Sequence, residues 1–205
     1  MSVPEHVVTA AASELGAREP HVPLGELPNE PGLYAFWPKD AGVTAALGLE
    51  DVPGAVPLGE RVLYIGKAED SLMSRVGSTH LADGKTGNST VRRTLAALLD
   101  MDSCPRPNNI SSPTHGQLLD LTSHYGLEGA EEGRLTEWMT ENLVIRVAPS
   151  DWTPLEDLER AVGAVLCPPL DQAKKPLWGP NPWRQPVSCA RERLRLRARR
   201  KAGLE

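Results

Sequence analysis

Two tyrosines, an arginine, a histidine and a glutamate, spread along 205 residues, are the side chains whose types and order could do chemistry. Tyr34 closes the string Gly32-Leu33-Tyr34, and Tyr64 opens the string Tyr64-Ile65-Gly66. Arg75 and His80 follow, and Glu159 stands far downstream in LEDLERAVGAVLCPPLD. By type, a carboxylate offers the hard oxygen that Mg2+ and Mn2+ prefer. A guanidinium is a planar, permanently charged fork matched to phosphate. An imidazole with an ordinary pKa of about 6.5 can exchange protons at neutral pH. Each residue taken singly also has an ordinary reading: strand aromatics on a sheet, solvated Arg and Glu side chains, a histidine at a helix C-terminus. The joint order Tyr–Tyr–Arg–His–Glu is what carries information.

The elements that must position these residues can be read from periodicity and punctuation. Residues 1–27 form an N-terminal helical extension without the basic start and apolar core of a signal peptide. A strand over 28–38 leaves a Pro/Gly turn and carries Tyr34; an excursion with one apolar patch, residues 44–49, leads to a second strand over 61–68. Asp70 or Ser71 caps a helix running to about His80, and Ser89 caps another over 89–100. Residues 103–116 read as irregular, 131–143 as helix and 143–149 as a third strand. The helix carrying Glu159 opens at Thr153, with Pro154 in the first turn and Glu156 completing a capping box. It stops at Pro168-Pro169. Glu159 flanks Leu155 and Val162 at helical spacing, at the border of the buried face.

Gly32-Leu33-Tyr34 and Tyr64-Ile65-Gly66 resemble the two motifs that name the GIY-YIG nucleases, and LYIGKAEDSLMSRV, TGNSTVRRTLAALL and the helix ending in PPL are similar to further segments of that family. The resemblance covers roughly residues 30–180. It implies an α+β fold, a three-stranded, mainly antiparallel sheet flanked by helices, with the N-terminal helix and a basic C-terminal tail added. It also implies a metal-dependent endonuclease acting on DNA. Glu159 then binds Mg2+ or Mn2+. Arg75 stabilises charge on the phosphate in the transition state. Tyr34 positions or deprotonates the attacking water, with His80 as a candidate general base. Tyr64 orients water or phosphate, and Lys67 holds a second phosphate oxygen. Where relatives usually carry Asn after the proline pair, this chain has Asp171, which puts a second candidate metal ligand beside Glu159 and puts activity in question.

Charge is distributed unevenly. Of 22 basic and 27 acidic residues, seven and two lie in residues 191–205, so residues 1–190 carry a net charge of −10. So acidic a body suits a polyanion poorly without help. The expectation is that the tail, through Arg191, Arg195 and Arg199, grips DNA beside Arg92 and Arg93; the competing reading packs Leu194 on its own domain. Trp178 and Trp183 could stack on bases, although tryptophans beside prolines more often pin a loop to the core. The domain reading is 1–27 helical extension, 28–180 catalytic domain and 181–205 arm and tail. Cys104, Cys167 and Cys189 give neither zinc spacing nor a disulfide framework, and Cys167 reads as a small buried hydrophobe. With no apolar run long enough to cross a bilayer, the expected location is cytoplasmic. Two rival functions stay open: a non-catalytic binding protein of the same fold, and a phosphodiesterase on RNA or small nucleotides.

Overall fold

The computed structural model describes residues 3–17, 19–50, 52, 61–107, 110–171 and 181–204. In chain order come α1 (Glu5–Gly16), β1 (Gly32–Pro38), α2 (Ala41–Ala46), β2 (Tyr64–Ala68), α3 (Leu72–Arg75), α4 (Thr90–Leu98) and β3 (Ser103–Cys104). After these come α5 (His115–Ser123), β4 (Gly126–Leu127), α6 (Glu131–Asn142), β5 (Leu143–Pro149), α7 (Leu155–Leu166) and α8 (Arg184–Lys201). They divide into two compact units rather than one body: Met1–Ser78 with Glu141–Arg184, and Thr79–Thr140 with Gln185–Glu205.

The first unit is built on an antiparallel sheet in the order β2-β1-β5. In the register of β1 on β2, Tyr34 lies opposite Gly66 and Phe36 opposite Tyr64. Side chains alternate across a strand, so Tyr34, Phe36, Tyr64 and Gly66 share one face and Leu33, Ala35, Trp37 and Ile65 the other. That second face, with Val62 and Ala148, joins Ala11, Ala12 and Leu15 of α1 and Leu155, Leu158 and Val162 of α7 in one apolar cluster. Enclosing a leucine such as Leu15 contributes about 1.5–3 kcal/mol, and Trp37 Nε1 donates to the Leu15 carbonyl at 2.9 Å. The N-terminal helix is therefore core, where the sequence suggested an extension.

Local detail differs from expectation at the start of α7. Pro154 itself occupies the cap position in an extended conformation and makes no side-chain cap bond. Thr153 sits one residue too far out, and its hydroxyl donates backward to the Asp151 carbonyl at 3.4 Å. The capping box does not form. Cys167, at the C-cap in the left-handed region (φ 46°), is half-buried. The excursion after β1 contains α2, whose N-terminus Asp40 caps by accepting from Gly42 N at 2.8 Å; residues 51 and 53–60 lie outside the described residues.

In the second unit, Arg92 is fully enclosed. Its guanidinium donates to Thr86 Oγ1, the His80 carbonyl, Thr136 Oγ1, and the Glu132 carbonyl and carboxylate at 2.8–3.1 Å. All five N–H groups of the fork are thus used inside the unit. Arg93, also buried, donates to the carbonyls of Thr86 and Gly87. Residues 103–116, expected to be irregular, contribute β3, paired with β4, and the start of α5, which opens with a Thr114/Gln117 capping box. The basic tail is α8, with Val187, Ala190, Leu194 and Ala198 buried at helical spacing. Leu194 O accepts from Ser103 Oγ at 2.7 Å, Arg197 pairs with Asp100, and Lys201 pairs with Asp102 and Glu128. The packed-helix reading of the tail describes this arrangement.

Candidate active site

The register of β1 on β2 brings the two tripeptides together at one pair, the last residue of each. With Tyr34 opposite Gly66, the phenol of Tyr34 lies over the glycine, and a Cβ there would overlap the Tyr34 hydroxyl. Gly66 is thus the place that the Tyr34 side chain occupies. Phe36 meets the Tyr34 ring edge-on at 5.9 Å, and the Tyr64 ring lies 6.3 Å away, which locks the phenol on three sides. Gly66→Ala is expected to fold, because Ala fits a strand, yet to displace the Tyr34 hydroxyl. Misplacing a reacting group by about 1 Å costs on the order of 10²-fold in rate. Single-turnover cleavage by this variant, beside an unchanged circular-dichroism spectrum, checks it; a wild-type rate would remove Tyr34 from the site.

Arg75 ends α3, whose first turn is capped by the Ser71 hydroxyl accepting from Ser74 N at 3.1 Å. The helix then widens into a π turn over Val76–His80, a form that recurs at functional sites. The Arg75 guanidinium hydrogen-bonds the Tyr34 hydroxyl. Burial pushes the Tyr34 phenol well above its ordinary pKa, and the nearby Arg75 charge only partly opposes this. Burial likewise raises Tyr64. Both phenols are therefore protonated at neutral pH and suited to orienting an oxygen by hydrogen bonds.

Glu159 lies on α7 beside the buried Leu158. Burial raises its carboxyl to about 7; Lys67 and Arg75 pull it down, while Glu156 and Glu69 push it up. Among the described residues nothing hydrogen-bonds or ion-pairs with this carboxylate. It is half-buried and costly to ionise, and a carboxylate is the kind of hard oxygen donor that divalent cations prefer. Lys67, on β2, pairs with Glu69 two residues on. No group of three or more His, Cys, Asp or Glu side chains that could hold a metal occurs among the described residues. A cation at Glu159 would thus draw most of its shell from water and substrate.

Asp171 does something the sequence did not suggest. The chain after α7 runs along the free edge of β2: Leu170 N donates to the Leu63 carbonyl at 2.9 Å, and Asp171 Oδ2 accepts from Ile65 N at 3.3 Å. Capping an edge-strand amide requires an acceptor, which Asp and Asn both provide. Burial, reinforced by the Glu159 charge, holds the Asp171 carboxyl far above the usual carboxylate range. A raised acid favours folding below its unfolded pKa of about 3.9 and loses that contribution as pH rises past it. Asp171→Asn is therefore expected to melt higher than wild type at neutral pH and the same at about pH 3.5. A lower melting point at neutral pH would show that the ionised carboxylate itself holds the fold.

Arg92 and Arg93, expected to meet substrate, are committed to bonds within their unit, and Arg92 has no exposed surface to offer. Of the tail residues, Arg191 hydrogen-bonds Tyr125 and Arg195 pairs with Glu192 at 2.6 Å. Trp183 is buried, donates to the Leu49 carbonyl at 3.3 Å and carries Arg61 over its ring at 6.0 Å, a loop pin rather than a stacking platform. Trp178 lies outside the described residues. His80, in the second unit, is fully enclosed and bonds Ser89 Oγ through Nδ1 at 2.7 Å.

The GIY-YIG catalytic domain family matches residues 32–192, most of the chain. The chain belongs to the GIY-YIG family. No curated protein and no solved structure matches it. Membership of the GIY-YIG nucleases gives the chain a nuclease-type function in general terms. The family's two tripeptides are the strands whose pairing places Tyr34 over Gly66. Sequence reading missed Ser89 as the partner of His80 and Glu69 as the partner of Lys67. The second was accessible, since Glu69 stands only two residues after Lys67. Among the described residues no helix is long and apolar enough to cross a membrane.

Proposed function

We propose that this GIY-YIG protein is an endonuclease that hydrolyses DNA phosphodiester bonds with Mg2+ or Mn2+. The observation that carries the reading is Glu159, a half-buried carboxylate raised to about 7 and without a hydrogen-bonding partner among the described residues, in the same unit as the Tyr34–Arg75 pair. Glu159 would hold the divalent cation, with Asp171 close enough to feel its charge. The cation would supply positive charge at the scissile phosphate. Arg75 would meet a phosphate oxygen with the N–H groups it does not spend on Tyr34. Tyr34 and Tyr64, as neutral phenols, would hold the attacking water in line, and Lys67 would take a further phosphate oxygen once it leaves Glu69. His80 joins the set through the order of the family's residues.

Electrostatics set the terms of DNA binding. The unit containing the site has 10 basic and 17 acidic residues, and the other has 12 and 10. Attraction to a polyanion is therefore weak and sensitive to salt. The same acidity favours the second reading, a non-catalytic member of the fold. Supercoiled plasmid with Mg2+ or Mn2+ separates the two: nicking that chelator abolishes supports hydrolysis, and intact plasmid in both metals supports the alternative.

Metal binding should depend on pH. A proton on Glu159 competes with the cation below about 7. Affinity measured calorimetrically without DNA is thus expected to fall about tenfold per pH unit below that value and to level off above it. A flat profile across neutrality would place the metal elsewhere.

A further inference from the structure

We propose that Glu69 is a positioning residue, which holds the Lys67 ammonium off the Glu159 carboxylate and so leaves that carboxylate open to a divalent cation. The three residues belong to the same compact unit, and the cation at Glu159 is that of the nuclease reading above, on which this role rests. Lys67 stands on β2 opposite Leu33. It therefore follows Ile65 on the face of the sheet against which Leu155, Leu158 and Val162 of α7 pack. Glu159 follows Leu158 on that helix. Of the cations that act on Glu159, Lys67 acts most strongly, and the Glu69 charge reaches it as well. Yet the ammonium bonds Glu69, two residues on, and among the described residues Glu159 receives no bond from it.

The choice has a physical cause. The Lys67 side chain is 28% exposed and that of Glu69 58%, so the two pair while keeping much of their hydration. An ammonium that joined the half-buried Glu159 would give up more water for its bond. With Glu69 neutral, that better partner is gone. Glu159 is the other carboxylate whose charge Lys67 already meets, and an ammonium seated on it competes with a metal ion for the same oxygens. Two further cations near Glu159 are engaged in the same manner. Arg75 bonds the Tyr34 hydroxyl, and Arg160, the next residue on α7, pairs with Glu156 and Asp157. These three positive side chains each hold another oxygen, which keeps the carboxylate clear while leaving positive charge beside it for a phosphate.

Calorimetric titration of the full chain with Mn2+, without DNA, tests this through a double-mutant cycle. Glu69→Gln is expected to weaken Mn2+ binding by roughly fivefold, the upper reach of an exposed ion pair, although Glu159 itself is untouched. In a Lys67→Met background the same change should have little effect, because no ammonium remains to settle on Glu159. Weakening of equal size in both backgrounds would overturn the proposal, since Glu69 would then act on the cation through its own charge. Unchanged affinity in Glu69→Gln would overturn it too. A second readout needs no metal: the rate at which acetic anhydride acetylates Lys67, followed by peptide mass spectrometry. Adding Glu159→Gln should speed acetylation clearly in the Glu69→Gln protein and little in the wild type, and equal responses would contradict the proposal. If the wild type bound no Mn2+, the nuclease reading would fail, and the acetylation series alone would decide where the ammonium rests.

Discussion

Glu159→Gln is expected to reduce metal-dependent strand cleavage by at least roughly 10²-fold, the scale of losing a main electrostatic contributor, while melting at or above the wild-type temperature. The two halves have one cause. The carboxylate has no hydrogen-bonding partner among the described residues, and burial raises it to about 7. Its contribution to folding is therefore present below the unfolded pKa of about 4.3 and is lost as pH rises through about 7. At pH 8 the wild type carries an ionised group in surroundings that disfavour it, and the neutral amide removes that cost. At about pH 4 the two proteins should melt together. Calorimetric titration with Mn2+ should show binding lost in the variant. Wild-type cleavage would end the metal assignment, and a fall in melting point of about 4 °C or more would make Glu159 structural.

Arg75→Lys keeps a positive charge and should still lose roughly 10²-fold or more in single-turnover rate. The guanidinium spends part of its fork on the Tyr34 hydroxyl and has further N–H groups for a phosphate oxygen. An ammonium is a point charge on a flexible stem and cannot hold that planar, two-sided geometry. Because the deficit lies in the reacting geometry, it should appear in the rate at saturating DNA more than in the DNA concentration for half-maximal rate. A variant impaired only in DNA affinity would make Arg75 a docking residue.

The strands bearing the two tripeptides were legible because apolar alternation and Pro/Gly punctuation are local signals; the helix of Glu159 was legible from Leu155, Leu158 and Val162. The edge cap made by Asp171 was not, because Ile65 lies 106 residues away and no local pattern records such a contact. Helix α8 was obscured by its eight cations, with small residues Ala190 and Ala198 serving as half of its buried face. Arg92 and Arg93 read as substrate contacts because arginine is usually solvated; their enclosure depends on Glu132 and on the carbonyls of Thr86 and Gly87, which composition does not reveal. His80 and Ser89 stand nine residues apart across a loop, a spacing that matches no regular periodicity.

Anomalous diffraction from crystals of the protein with Mn2+ and a DNA duplex would test the central claim most directly. The account predicts a manganese peak roughly 2.0–2.2 Å from a Glu159 oxygen, near the distances of hard divalent cations, with a phosphate oxygen in the same shell and the Arg75 guanidinium on that phosphate. A peak distant from Glu159, or DNA bound with no metal at Glu159, would contradict it.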